Sequence, residues 1–169
     1  GLFADSVEKR LGYPMVVKEA YGSFGAQVYL AKNRSELDAL RNRLKYMPHL
    51  YQRYVKNSSG EDIRIIVVGG KAVAAMKRKN NGDFRANIEL GGVGEKYIPS
   101  SEQVELSERI CRLLGADYIG VDLLFDKDKT LLCEVNTNAH FMFISDCTGV
   151  DVAKLYVGHV MEEIYGRAD

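Results

Sequence analysis

The sequence predicts an α+β protein built as two lobes, and three observations carry that expectation. Short apolar runs are joined by tight turns, as in antiparallel hairpins: Gly69-Gly70 separates "EDIRIIVV" from "KAVAAMKRK", and Lys127-Asp128-Lys129 separates "YIGVDLLF" from "TLLCEVN". Segments with apolar residues at helical spacing lie among these runs, at 35–46, 101–115 and about 150–165. Pro48 closes a small first unit, and 169 residues with 46% hydrophobic content suffice for two small cored lobes.

Taken in order, Leu2, Val7 and Leu11 mark a lead-in helix over residues 1–11, which Gly12 and Pro14 stop. "MVVKEA" (15–20) reads as a buried strand, "YGSFGA" (21–26) as a glycine loop and "QVYLAK" (27–32) as a returning strand. A helix over 35–46 follows, with Ser35 as its N-cap and Leu37, Leu40 and Leu44 on one face. Residues 12–48 make the small lobe and 49–169 the large one. In the large lobe "HLYQRYV" (49–55) is a strand, followed by a polar turn and the 61–79 hairpin. "NNGDFRANIELGGVG" (80–94) is too rich in glycine for a single helix. The amphipathic helix 101–115, the 118–136 hairpin and a final helix complete the chain. There is no internal repeat.

Several function classes drop out on composition. Basic and acidic residues balance at 23 each, and no run concentrates the positive charge, which argues against a nucleic-acid partner. Cys111, Cys133 and Cys147 are an odd set without C-x-x-C spacing, so a disulfide framework or zinc cluster is not expected and a reducing cytosol fits. No run of about 18 apolar residues or signal-like start is present, so no membrane partner is expected. A homo-oligomer is compatible with these features. The start at Gly1, directly before a helix, reads as a piece of a longer protein from which an upstream domain is missing.

The chemistry lies in the second hairpin. Glu134 and Asn136 stand two apart in an apolar strand and share a face. If the turn is centred on Asp128, Asp122 lies opposite Glu134, with Cβ atoms about 4.5–5.5 Å apart, where like charges repel unless a cation intervenes. The three side chains offer only oxygen donors, the set Mg²⁺ prefers. A solvated carboxylate pair at a sheet edge is the alternative. Lys18 interrupts Met15-Val16-Val17 and would be compensated by a phosphate, or would reach out to water. Gly22-Ser23-Phe24-Gly25 could close its N–H groups over an anion, or be an ordinary turn. Lys77, Arg78, Lys79 and Arg85 surround a turn, as an anion clamp or a solvated face. Asp62 is a cap or a ligand contact.

The order "VVKEAYGSFG", "YQRYV", "EDIRIIVVGGKAVAAMKR", "GDFRAN", "GVDLL" and "EVNTN" resembles the ATP-grasp enzymes, and most of all the RimK-type carboxylate–amine ligases. The resemblance runs from about residue 12 to 155. It implies an ATP-grasp fold with nucleotide bound between antiparallel sheets of two α+β lobes. It also implies ATP and Mg²⁺ as cofactors, with Mn²⁺ as a substitute, and ligation of a carboxylate on a small molecule, peptide or protein to an amino-acid amine such as glutamate. Lys18, Gly22, Ser23 and Gly25 then meet phosphate, and Gln52, Arg53, Tyr54 and Val55 line the adenine. Asp62, Arg85 and Asn87 match further nucleotide contacts. Arg78 and Arg85 match catalytic positions, and Asp122, Glu134 and Asn136 match the metal ligands. The chain departs from the family's pattern at Gly25-Ala26-Gln27, at Arg53 and after Asn136, where Thr137-Asn138-Ala139-His140 replaces a common Pro-Gly. A regulatory ATP-binding module without catalysis and a plain metal-binding hairpin domain are the other readings.

Overall fold

Strand β1 (Met15–Glu19) is the centre of the first unit, with β2 (Val28–Ala31) and β3 (His49–Arg53) paired antiparallel on either side. The computed structural model describes residues 2–22 and 24–166, in two units, Gly1–Lys56 and Asn57–Asp169. Helices α1 (Leu2–Leu11) and α2 (Arg34–Arg43) share one core with this sheet: Ala4 and Leu37 pack with Met15, Val17 and Ala31. Alternation along the strand therefore puts Val16 and Lys18 on the opposite face.

Three expectations need correction here. Residues 1–11 are not a separate lead-in, because Ala4 is fully buried in the first unit's core and Arg34 Nη1 bonds Asp5 and Glu8 at 2.7 and 2.9 Å, tying α1 to α2. Residues 49–56 belong to the first unit and not to the larger lobe, since β3 supplies the third strand that two short strands need. The N-cap of α2 is Asn33, whose Oδ1 accepts from Glu36 N at 3.0 Å, so Ser35 lies within the helix.

The second unit holds a five-stranded antiparallel sheet in the order β6-β5-β4-β7-β8. Its strands are β4 (Glu61–Val68), β5 (Lys71–Lys79), β6 (Val93–Lys96), β7 (Tyr118–Asp126) and β8 (Lys129–Asn136). The β4–β5 turn is Gly69-Gly70, both at positive φ, as a two-residue hairpin requires. Helix α3 (Ser101–Leu114), opened by a Ser100–Gln103 capping box, covers the face of Ile63, Ile65, Val67, Val121 and Leu123. Helices α4 (Met142–Thr148) and α5 (Val152–Tyr165) cover the other face through Ile144 and Val152, against Ile66, Val68, Ala74 and Met76. Among the described residues no helix is long and apolar enough to cross a membrane.

The β7–β8 hairpin reaches its expected pairing by an unexpected route. The turn has two residues, Lys127-Asp128, with Asp126 opposite Lys129 and Leu123 opposite Leu132. Continued unaltered, that register would set Asp122 against Cys133. A bulge leaves Cys133 unpaired, and beyond it Asp122 pairs with Glu134, Val121 with Val135 and Gly120 with Asn136.

Candidate functional site

One face of the five-stranded sheet changes character along its length. Near α4 and α5 it presents Ile66, Val68, Ala74 and Met76. Further along, the same alternation brings up Asp62 and Arg64 on β4, Arg78 on β5, Asp122 on β7, and Glu134 and Asn136 on β8. The register sets Asp62 opposite Arg78, Arg64 opposite Asp122, and Asp122 opposite Glu134. Opposed residues of an antiparallel ladder share a face, so these side chains form one charged surface.

Four of them make a continuous alternating network. Arg78 Nε donates to Asp62 Oδ1 at 2.6 Å, and Arg78 Nη2 donates to Asp62 Oδ2 at 2.5 Å and Asp122 Oδ2 at 2.8 Å. Arg64 grips Asp122 with a fork, Nε to Oδ1 and Nη2 to Oδ2, both at 2.7 Å. Arg78 is only 2% exposed, so its charge depends on these carboxylates. Burial alone would raise the Asp122 pKa, but Arg78 and Arg64 outweigh it and hold the group at about 2. Asp62 is bonded to Arg78 alone, and there burial, helped by repulsion from Asp122, wins and raises the pKa. For Arg78, burial opposes the charge, yet Asp122 and Asp62 more than offset it and the pKa rises.

The network corrects the idea that Asp122 and Glu134 face each other with only a metal to separate them electrostatically. The cations against Asp122 are Arg64 and Arg78, and Glu134 is exposed. Asp62 is neither a cap nor free for any ligand in all directions, because both its oxygens accept from Arg78. Sequence reasoning missed Arg64. The signal was available: a guanidinium inside the apolar run Ile63-Arg64-Ile65-Ile66 needs a buried anion, as Lys18 was argued to.

The residues present still fit Mg²⁺. An ionised carboxylate offers about four acceptor positions. Asp122 Oδ2 receives two N–H groups and Oδ1 receives one, which leaves an acceptor position on Oδ1. Glu134 stands opposite it, and Asn136, two residues on, shares that face, although Asn136 Oδ1 accepts from Asn138 N at 2.8 Å. All three donors are hard oxygens. Among the described residues no three His, Cys, Asp or Glu side chains gather as a metal cluster, so the amide of Asn136 is needed as the third ligand.

The remaining candidates lie elsewhere. Arg85, in the loop after β5, forks onto Asp83 through Nε at 2.9 Å and Nη2 at 2.7 Å, and its own N–H also bonds Asp83. Asn87 shapes that loop through its carbonyl, which accepts from Leu90 and Gly92. A cleft of about 370 Å³ lies beside this loop, lined by residues such as Glu61, Lys79 and Phe84, but no member of the charged network lines it. In the first unit Lys18 is half-buried and lies opposite Leu50 and Val28, while Val16 lies opposite Gln52. Lys18 and Gln52 therefore share the sheet face away from the core, and Lys18 is not the core ammonium that its neighbours suggested. Arg53 is exposed, and Tyr54 and Val55 follow the end of β3 half-buried. In the glycine loop, Phe24 and Gly25 both have positive φ, and a Cβ on Gly22 would stand 2.6 Å from Gln27 Oε1. Ser23 lies outside the described residues.

Comparison with known proteins accords with this geometry. The family model of the RimK-like ATP-grasp domain matches residues 3–160. Beta-citrylglutamate synthase B of Danio rerio is 37% identical over 160 residues, covering 93% of this chain and 40% of that protein. N-acetylaspartylglutamate synthase A of Homo sapiens is 35% identical over 160 residues, covering 93% and 41%. The chain thus spans less than half the length of these relatives. The RimK domain protein of ATP-grasp type from Sphaerobacter thermophilus shares the fold, with a TM-score of 0.71 at 21% identity over 94% of this chain and 57% of that one. An antiparallel sheet with opposed carboxylates on one face, and a family match over nearly every residue, lead to one assignment: the chain belongs to the RimK-like ATP-grasp family.

Proposed function

We propose that the protein is an ATP- and Mg²⁺-dependent ligase that joins a carboxylate to the amine of an amino acid, glutamate being the first candidate, by way of an acyl phosphate. The observation that carries the reading is the half-charged sheet face, where Asp122, Glu134 and Asn136 offer three oxygen donors beside two guanidiniums. Glutamate is favoured because both relatives named above carry it in their product names.

Asp122, Glu134 and Asn136 would hold the metal, which when bound supplies positive charge to the phosphate oxygens. Lys18 and the N–H groups of the glycine loop, with Gly22, Ser23 and Gly25, would bind phosphate. Gln52, Arg53, Tyr54 and Val55 would contact adenine, and Asp62, Arg85 and Asn87 the rest of the nucleotide. Arg85 would neutralise charge as the carboxylate accepts the phosphoryl group, and Arg78, buried against Asp62 and Asp122, would contribute through the field of its charge. Catalysis of this kind rests on positioning and electrostatics and needs no nucleophilic side chain.

The test is phosphate release and amide formation, the latter by mass spectrometry, with ATP, Mg²⁺, glutamate and a panel of N-acyl amino acids and polycarboxylates. The reading predicts phosphate release that requires both glutamate and one of the carboxylates. Tight Mg·ATP binding with no release under any pairing would favour a regulatory nucleotide-binding module. No ATP binding would overturn both.

A further inference from the structure

Resting on the metal assignment above, we propose that Arg64 is a positioning residue that fixes which oxygen of Asp122 is open to the metal. Arg64 is 13% exposed, sits directly opposite Asp122 in the ladder, and has both Nε and Nη2 on that one carboxylate. A planar fork against a planar carboxylate sets its rotation as well as its charge. Arg78 cannot do this alone, because it reaches only Oδ2, through one N–H, while its other contacts hold Asp62. The combined result is an Oδ2 with two N–H partners and an Oδ1 with one. Oδ1 is the only oxygen of Asp122 with an acceptor position to give.

The strand that carries Asp122 is closely packed beside the pair. Gly120 lies on the same face, next to Asp122, opposite Ile66 on β4 and Asn136 on β8. A Cβ there would stand 2.5 Å from Ala139 Cβ and 3.9 Å from Arg64 Nε. The missing side chain lets Ala139, in the segment after β8, settle onto the sheet over Gly120.

Charge alone predicts something different, which makes the inference testable. A guanidinium next to a metal ligand repels the metal, so its removal should strengthen divalent-ion binding if charge were its whole effect. If the fork is what matters, Arg64→Lys should weaken binding even though it keeps the charge, because an ammonium cannot make the two parallel bonds. Arg64→Gln should weaken it too, although it removes a positive charge.

The experiment measures Mn²⁺ affinity by electron paramagnetic resonance, with ADP present, for the wild type, Arg64→Lys, Arg64→Gln and Asp122→Asn. Melting in EDTA first establishes that each variant folds, and either Arg64 variant suffices if the other does not. Positioning of the carboxylate predicts a loss of about 10- to 100-fold in Mn²⁺ affinity for both Arg64 variants, the usual range for a residue that orients a metal ligand. Unchanged affinity in Arg64→Lys, or tighter binding in Arg64→Gln, overturns the inference while Asp122→Asn still loses the metal. Unchanged Mn²⁺ binding in Asp122→Asn overturns the metal assignment itself.

Discussion

Asp122→Ala should destabilise the protein even with no metal present. The substitution removes the acceptor of three charge-assisted hydrogen bonds, two from Arg64 and one from Arg78. Arg78 is 2% exposed and keeps Asp62, whereas Asp122 is the single carboxylate partner of Arg64 among the described residues. Breaking a buried ion pair by truncating one member costs about 3–5 kcal/mol, and the partner left to Arg78 points to the lower end. At about 2–4 °C per kcal/mol for a chain of this size, the melting temperature should fall by roughly 6–12 °C. The measurement is calorimetry or urea denaturation in EDTA, with Glu134→Ala as control. Glu134 is exposed, so that control should stay within about 0.5 kcal/mol of the wild type. An Asp122→Ala protein as stable as the wild type in EDTA, or more stable, would show that carboxylate repulsion outweighs the two arginines.

Acid should act on the same network. Asp122 lies at about 2, below the ordinary aspartate value, so its contribution is intact above about pH 4 and is lost as pH falls through 2. Asp62 is raised and works in the opposite sense, its protonation favouring the fold as pH falls toward the ordinary value. The wild type should therefore lose roughly 2 kcal/mol more than Asp122→Asn between pH 4 and 2, and identical acid profiles would contradict this. In the first unit, Lys18→Met should leave folding intact and weaken ATP more than adenosine, and equal losses would show that Lys18 does not meet phosphate. Gly22→Ala would drive a Cβ to 2.6 Å from Gln27 Oε1, so it should weaken ATP binding through the loop with little change in global melting; unaltered ATP affinity would remove the loop from the site.

The sequence was most legible where local chemistry decides. Gly69-Gly70 admits a two-residue turn that few other pairs would, and the β4–β5 hairpin follows its predicted bounds. Boundaries set by tertiary pairing were not legible. β3 looks the same by composition whether it joins β1 or the larger sheet, and only the first unit's need for a third strand assigns it. The facing of Asp122 and Glu134 was reached through a three-residue turn that does not exist. A two-residue turn and a bulge at Cys133 give the same pairing, and nothing in "TLLCEVN" announces the bulge. Which anion answers Arg64 was hidden for a related reason. Its partner lies 58 residues away, and it is the pairing of β4 with β7 that makes the two charges neighbours.

The proposed function requires this sheet face to hold a divalent metal for ATP through Asp122, Glu134 and Asn136. Glu134→Ala tests it most directly, since the exposed Glu134 can be removed without disturbing the arginine network. Calorimetric titration with ATP, in Mg²⁺ and in EDTA, should show Mg²⁺-enhanced binding in the wild type. In Glu134→Ala the enhancement should be lost while the melting temperature in EDTA is unchanged. Wild-type Mg²⁺ enhancement in a folded Glu134→Ala protein would contradict the account.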